Sequence, residues 1–194
     1  MKLLLLFACV TKEPIPSEES KTTKKMELNS AEQQALETEA ISIVKKFGGQ
    51  LKPKLQEAMK EGGPENAIEI CSEHAPKIAR ELSQETGWTV KRVSLKNRNP
   101  NGAPDAWEKI TLEHWDKELE KGVDADTLTQ GELENGQFRF MKAQKTEGLC
   151  LTCHGEMIAP NLLDKLNEKY PKDIATGYKL GQIRGAFSVS KNLN

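Results

Sequence analysis

The sequence predicts an α+β protein built on an antiparallel sheet, and three features carry that reading. Leu36, Ala40, Ile43, Val44 and Phe47 repeat at helical spacing in the first third of the chain. The period changes at Trp88 to Leu95 (WTVKRVSL), a run of aromatic and β-branched residues that reads as a strand. Asn135-Gly136 then stands between two strand-like runs, Leu133-Glu134 and Gln137 to Phe140, a strong short-range hairpin signal. Helices lead and strands follow, which favours an antiparallel α+β sheet over a βαβ array. The chain has 194 residues, enough for a single domain of ordinary size.

The elements follow in order. Ser30 is placed to cap the first helix, with Gln33 as the second half of a capping box, and Gly48-Gly49 ends its apolar stripe. A second helical segment covers about Lys54 to Lys60 and stops at Gly62-Gly63. Pro64 suits the first turn of a third helix, which carries Ala67, Ile68, Ile70 and Cys71. Pro76 opens a fourth, and Gly87 terminates it. After the first strand, Asn97 to Asp105 (NRNPNGAPD) is dense in turn formers and reads as loop. Ala106 to Lys121 returns to helix. Past the hairpin, a helix near Asn161 to Lys169 precedes a last strand near Gln182 to Ser190. No internal repeat is present.

Charge and hydropathy narrow the function classes. Lys and Arg number 28 against 29 Asp and Glu, so no excess of positive charge points to nucleic acid as a partner. No apolar run reaches the roughly 18 residues of a spanning helix. Residues 1–9 differ from the rest: Lys2, a six-residue apolar core from Leu3 to Ala8, then Cys9. This is the shape of an export signal, its core a little shorter than the usual 7 or so residues. Its ending resembles a lipoprotein signal in which Cys9 is lipidated. Residues 10–29, rich in Lys, Glu, Ser, Thr and Pro, read as a flexible tether. Residues 30–194 form the folded domain. The expected location is the periplasm or cell envelope, with the chain held at a membrane surface by the lipid.

The chemistry concentrates in Cys150-Leu151-Thr152-Cys153-His154. Attachment of haem c needs two thiols to add across two vinyl groups and a histidine beside the second thiol to reach the iron. A thioredoxin-like pair needs no histidine and sits after a strand. A zinc site needs a second pair of ligands, for which only Cys71, His74 and His114 remain. Export supplies the compartment in which haem c is attached. One motif implies one covalent haem, with Cys150 and Cys153 as attachment points and His154 as proximal ligand.

Four cysteines are present, and setting aside Cys9 and the haem pair leaves Cys71. An unpaired thiol in an exported protein invites explanation, either as a small buried hydrophobe or as the second axial ligand. His74 lies one turn further along. Met141 and Met157 would give a His/Met haem, but Met157 is only three residues past His154. His114 sits mid-helix. The residues themselves leave the sixth ligand open.

Several segments together resemble a bacterial and cyanobacterial family of single-haem c-type proteins with a PAS-like domain. They are Ala67 to Cys71 (AIEIC), Ala75-Pro76, Glu85 to Trp88 (ETGW), Ser94 to Pro100 (SLKNRNP), Ala103 to Glu108 (APDAWE), the haem motif, Ala175 to Tyr178 (ATGY) and Ile183 to Val189 (IRGAFSV). They span roughly residues 65 to 190. The resemblance implies a PAS-like antiparallel sheet with flanking helices, an N-terminal helical segment and haem c docked against the sheet. It also implies His/Cys ligation, with His154 proximal and Cys71 distal, His74 being the runner-up. Arg98, with Asn99 and Pro100, and Arg184 become candidate contacts for the haem propionates. Trp88, Trp107, Tyr178 and Phe187 are expected in the core.

The functional expectation is an exported monohaem protein, acting in redox or small-ligand sensing or in one-electron transfer through a redox or signalling partner of unknown identity. The alternative is a peroxidase- or reductase-like haem enzyme. That class needs an open iron position with acid–base groups beside it, which a strong distal ligand opposes.

Overall fold

The computed structural model describes residues 27–193. The expected signal, Cys9 and nearly all of the expected tether lie outside the described residues.

Helix α1 (Ser30–Glu61) begins one residue earlier than predicted. Asn29, not Ser30, is its cap: the Asn29 side chain accepts from the backbone N–H groups of Ala31 and Glu32, both at 3.0 Å. Glu32 closes the box by accepting from the Asn29 N–H at 2.9 Å. The helix then runs unbroken through Gly48-Gly49 and Pro53, where two helices were expected. Neither glycine takes a left-handed φ. Two glycines cost about 1 kcal/mol each and an interior proline about 3. The stripe Ala40, Ile43, Val44, Phe47, Leu51 and Ala58 stays buried along the full length and outweighs that local cost.

Helix α2 (Gly63–Glu69) follows with Pro64 in its first turn. It runs into a five-residue π-helical turn, Ile70–His74, and then α3 (Ala75–Thr86). Gly87, at φ 73°, ends α3 as predicted. Strand β1 is Thr89–Val93. After a loop holding one 3-10 turn at Pro100–Gly102, helix α4 (Ala106–Glu120) is capped by Asp105. Strands β2 (Thr129–Glu134) and β3 (Gln137–Lys145) form the hairpin, with φ 51° at Asn135 and 75° at Gly136. The Cys150–His154 motif forms a short helix, α5 (Gly148–His154), which the sequence reading does not predict. Seven residues without a capping side chain are too few to show a period. Helix α6 (Pro160–Lys169) and strand β4 (Ile183–Asn192) complete the chain.

The four strands form one antiparallel sheet in the order β1-β4-β3-β2. This α+β architecture is the one the sequence predicts and is consistent with a PAS-like fold. Alternation along the strands assigns the two faces. Val90, Phe138, Phe140 and Val189 pack with Trp88 against α1 and α3. Val93, Met141, Ala143 and Ala186 pack against Leu112 and Trp115 of α4. A third cluster, Ile68 with Leu162, Leu166 and Tyr170, joins α2 to α6. The first face is covered at one end only. At the other, α1, the π-helical turn and α5 stand off from the sheet and leave a cavity.

Candidate cofactor-binding site

The cavity holds about 630 Å3, within the usual range for a cofactor site. Its apolar wall comes from Phe47, Leu51 and Leu55 of α1, Ile68 of α2, Ala75 and Ala79 of α3, and Phe187 of β4. Cys150, Cys153 and His154 enter from α5, and Cys71 enters from the π-helical turn. A π turn inserts an extra residue into the helical ladder and so re-aims the side chains it carries. Such turns are frequent at functional sites.

The structure separates the residues considered for the second axial position. Cys71 lines the cavity, whereas His74 does not. His114 is exposed on α4, and Met141 is fully buried beneath α4 on the opposite face of the sheet. Met157 is 92% exposed. Met59, near the end of α1, is a further sulfur on the wall, and no sequence pattern marks it. Among the described residues, no three His, Cys, Asp or Glu side chains converge to hold a bare metal ion.

The His154 ring is fixed by its own second contact. Its Nδ1–H donates to the Ala175 carbonyl at 2.7 Å, which leaves the Nε2 lone pair as the ligating position. The 175–178 segment also clamps the His154 backbone: Tyr178 N–H donates to His154 O and Gly177 N–H to Gly155 O, both at 2.9 Å. The Tyr178 ring meets the imidazole edge-on at 6.4 Å. A side chain at Gly155 would collide with the Leu151 carbonyl, since an added Cβ falls 2.6 Å from it. Burial, reinforced by the Arg184 and Arg98 guanidiniums, holds the His154 pKa well below the ordinary histidine value. The ring is therefore neutral at physiological pH and keeps its lone pair.

Burial also pushes the Cys71 and Cys153 thiols up, with nearby guanidiniums pulling partly the other way. Without a metal both remain thiols. Coordination to a cation would deprotonate them. Burial, with Cys71 beside it, raises Tyr170 to about 12, so this cavity phenol stays neutral.

Four arginines line the cavity: Arg80 on α3 is exposed, and the other three differ in their partners. Arg98 Nε–H donates to Asp173 Oδ2 at 2.8 Å, and its Nη2 donates to the Cys153 carbonyl at 2.5 Å. Asp173 Oδ1 accepts from Ala175 N–H at 2.7 Å. Arg98 thus ties the loop at 97–99 to the haem motif and to the segment that orients His154. Arg184 is 8% exposed and reaches Ser94 Oγ at 3.1 Å through Nη1, while its Nε–H is buried without a partner. Burial lowers Arg184 to about 10. Arg92 donates to Gln144 Oε1 at 2.5 Å and lies 5.7 Å above the Phe187 ring. Arg92 is half-buried, and burial depresses its pKa too. Sequence reading overlooked Arg92, which a K-R pair inside a strand does not distinguish from a solvated face. Of the expected core aromatics, Trp88 and Tyr178 are buried in packing, Phe187 faces the cavity, and Trp107, in the first turn of α4, is half-buried against the cluster between α4 and the sheet.

A family model described as Tll0287-like matches residues 18–191. The chain belongs to that family. The match spans the whole Tll0287-like domain from α1 to β4, including the cavity. Among solved structures, the chain is similar to the crystal structure of the cyanobacterial heme-protein Tll0287, at 26% identity and a TM-score of 0.61. That likeness covers 86% of this Tll0287-like chain and 98% of the other. A search of curated proteins finds no match.

Proposed function

We propose that the cavity takes one haem c, held covalently by Cys150 and Cys153, with His154 on one face of the iron and Cys71 on the other. The observation that carries this reading is the placement of α5, whose two thiols and imidazole enter an apolar cavity that also receives the Cys71 thiol. The relative with a solved structure is itself a heme-protein. Guanidiniums without carboxylate partners beside an apolar wall fit a flat apolar group that bears carboxylates. When bound, haem supplies one-electron iron chemistry. The residues here hold it, fix the His154 tautomer and exclude water from the apolar wall.

A thiolate ligand stabilises the ferric state, so the site is best suited to redox or small-ligand sensing, or to one-electron transfer at low potential. The enzyme reading ranks behind both, because Cys71 fills the position a substrate would need. On this reading the output goes to a redox or signalling partner. We place the chain in the periplasm or cell envelope, anchored by a lipid on Cys9. Cys9→Ala is expected to move it from the membrane to the soluble fraction, and a chain that stays with the membrane overturns the anchor.

A pyridine haemochrome spectrum of the chain, matured with a haem c attachment system, tests the covalent link. Cys71→Ser is expected to keep the haem but change the ferric optical and EPR spectra. An unchanged low-spin spectrum there, with a changed one in Met59→Leu, assigns the sixth position to Met59. A redox titration with and without CO separates the roles. CO bound only on reduction favours sensing, and a reversible couple indifferent to CO favours electron transfer.

A further inference from the structure

Of the four cavity arginines Arg80 is exposed to solvent, and two of the remaining three carry charge that the protein does not neutralise. Arg98 is paired with Asp173, and the side chains of that pair are 10% and 5% exposed. Arg92 and Arg184 have no carboxylate at salt-bridge distance among the described residues. Arg92 is satisfied in part by a neutral amide, and Arg184 by a hydroxyl and a backbone carbonyl. Its Nε–H has no acceptor. A buried guanidinium (Arg184) and a half-buried one (Arg92), both without counter-ions, are costly unless an anion completes them. Both stand on the sheet side of the cavity, on β1 and on the first residues of β4. Gly185, next to Arg184, lines the cavity at φ 153° and lets β4 lie close on β1, since an added Cβ would fall 2.3 Å from the Val93 carbonyl.

On the reading that the cavity takes haem c, we infer that Arg92 and Arg184, not Arg98, are the partners of the two haem carboxylates, and that the carboxylate edge is turned inward against the sheet. Arg98 instead positions the Cys153–His154 backbone through Asp173. This assignment turns the carboxylates away from solvent, so the charge around the iron is set by the protein and not by ionic strength.

The test uses the full chain, matured with haem c. Arg92→Gln and Arg184→Gln are each expected to lower the reduction potential, because a nearby cation favours the less positive ferrous state, and the double variant lowers it further. Redox-difference infrared bands of the haem carboxylates shift in both. Arg92→Lys and Arg184→Lys restore the potential toward wild type while the carboxylate bands still move, because the guanidinium fork is lost. They carry the test where a glutamine variant fails to fold. Variants that carry covalent haem and fold as wild type, yet keep its potential and its carboxylate bands, overturn the inference. A wild-type chain that gives no haemochrome overturns the haem reading itself, which is a separate outcome.

Discussion

Single residues around the cavity have fixed identities for different physical reasons. His154 works through its second contact: the Ala175 carbonyl takes the Nδ1 proton and settles which nitrogen faces the cavity. Arg98 and Asp173 stand behind that contact, and removing either leaves a buried charge unpaired, an error that typically costs about 3–5 kcal/mol. Gly185 is the sharpest case. Its φ of 153° is open to glycine alone, and any Cβ would collide with the Val93 carbonyl. Gly185→Ala is expected to destabilise the domain by roughly 3 kcal/mol, read as a shift in the urea midpoint at unchanged slope. A shift under a third of that size would mean β4 can slide away from β1 at this point.

Among the elements, α4 shows how one end anchors a helix to the sheet. Asp105 caps it by accepting from the Glu108 N–H at 3.0 Å, and Glu108 answers by accepting from the Asp105 N–H at 2.9 Å. The Glu108 carboxylate is buried yet satisfied by Lys91 at 2.9 Å and by the Ser188 hydroxyl at 2.6 Å. Partial burial pushes the Asp105 carboxyl up, but the Glu108 N–H and the Arg139 guanidinium outweigh it and leave the group below its ordinary 3.8. A depressed acid stabilises the fold above its unfolded pKa and loses that contribution as pH falls through the folded one. Asp105→Asn keeps the cap and removes the titration. Its deficit is expected to be present at neutral pH and to shrink as pH falls below 3.8 through the lower folded-state pKa, measured by thermal unfolding across pH. A deficit independent of pH would assign the loss to geometry. The π-helical turn is the other decisive element, since it brings Cys71 to the cavity and leaves His74 off it.

Across the whole molecule, the sheet is packed on one face by α4 and at one end of the other by α1 and α3. Helix α2 packs directly on α1, whereas α5 and α6 reach that body largely through the cavity and the small cluster of Ile68, Leu162, Leu166 and Tyr170. Stability is therefore uneven. A Cys150→Ala/Cys153→Ala chain, haem-free on the proposed reading, is expected to keep the sheet and α4 protected while amide exchange speeds in α5 and α6. Uniform loss of protection would show instead that the cavity contents hold the sheet together.

The sequence by itself determined the α+β class, most of the element order, the hairpin at Asn135-Gly136, the helix stop at Gly87 and the motif at 150–154. Each rests on local periodicity, turn chemistry or fixed spacing, which short-range physics decides. It narrowed the second axial position to a few sulfurs and imidazoles, and only a family resemblance ranked Cys71 first. Three features were decided only by tertiary structure. Burial along the whole of α1 overrides two glycines and a proline. A π-helical turn turns Cys71 toward the cavity. Long-range pairing of β1 with β4 sets Arg92 beside the cavity with Arg184. The reason is common to all three: which of several locally permitted arrangements forms depends on what the other side of the fold buries or leaves unpaired, and no stretch of sequence carries that information alone.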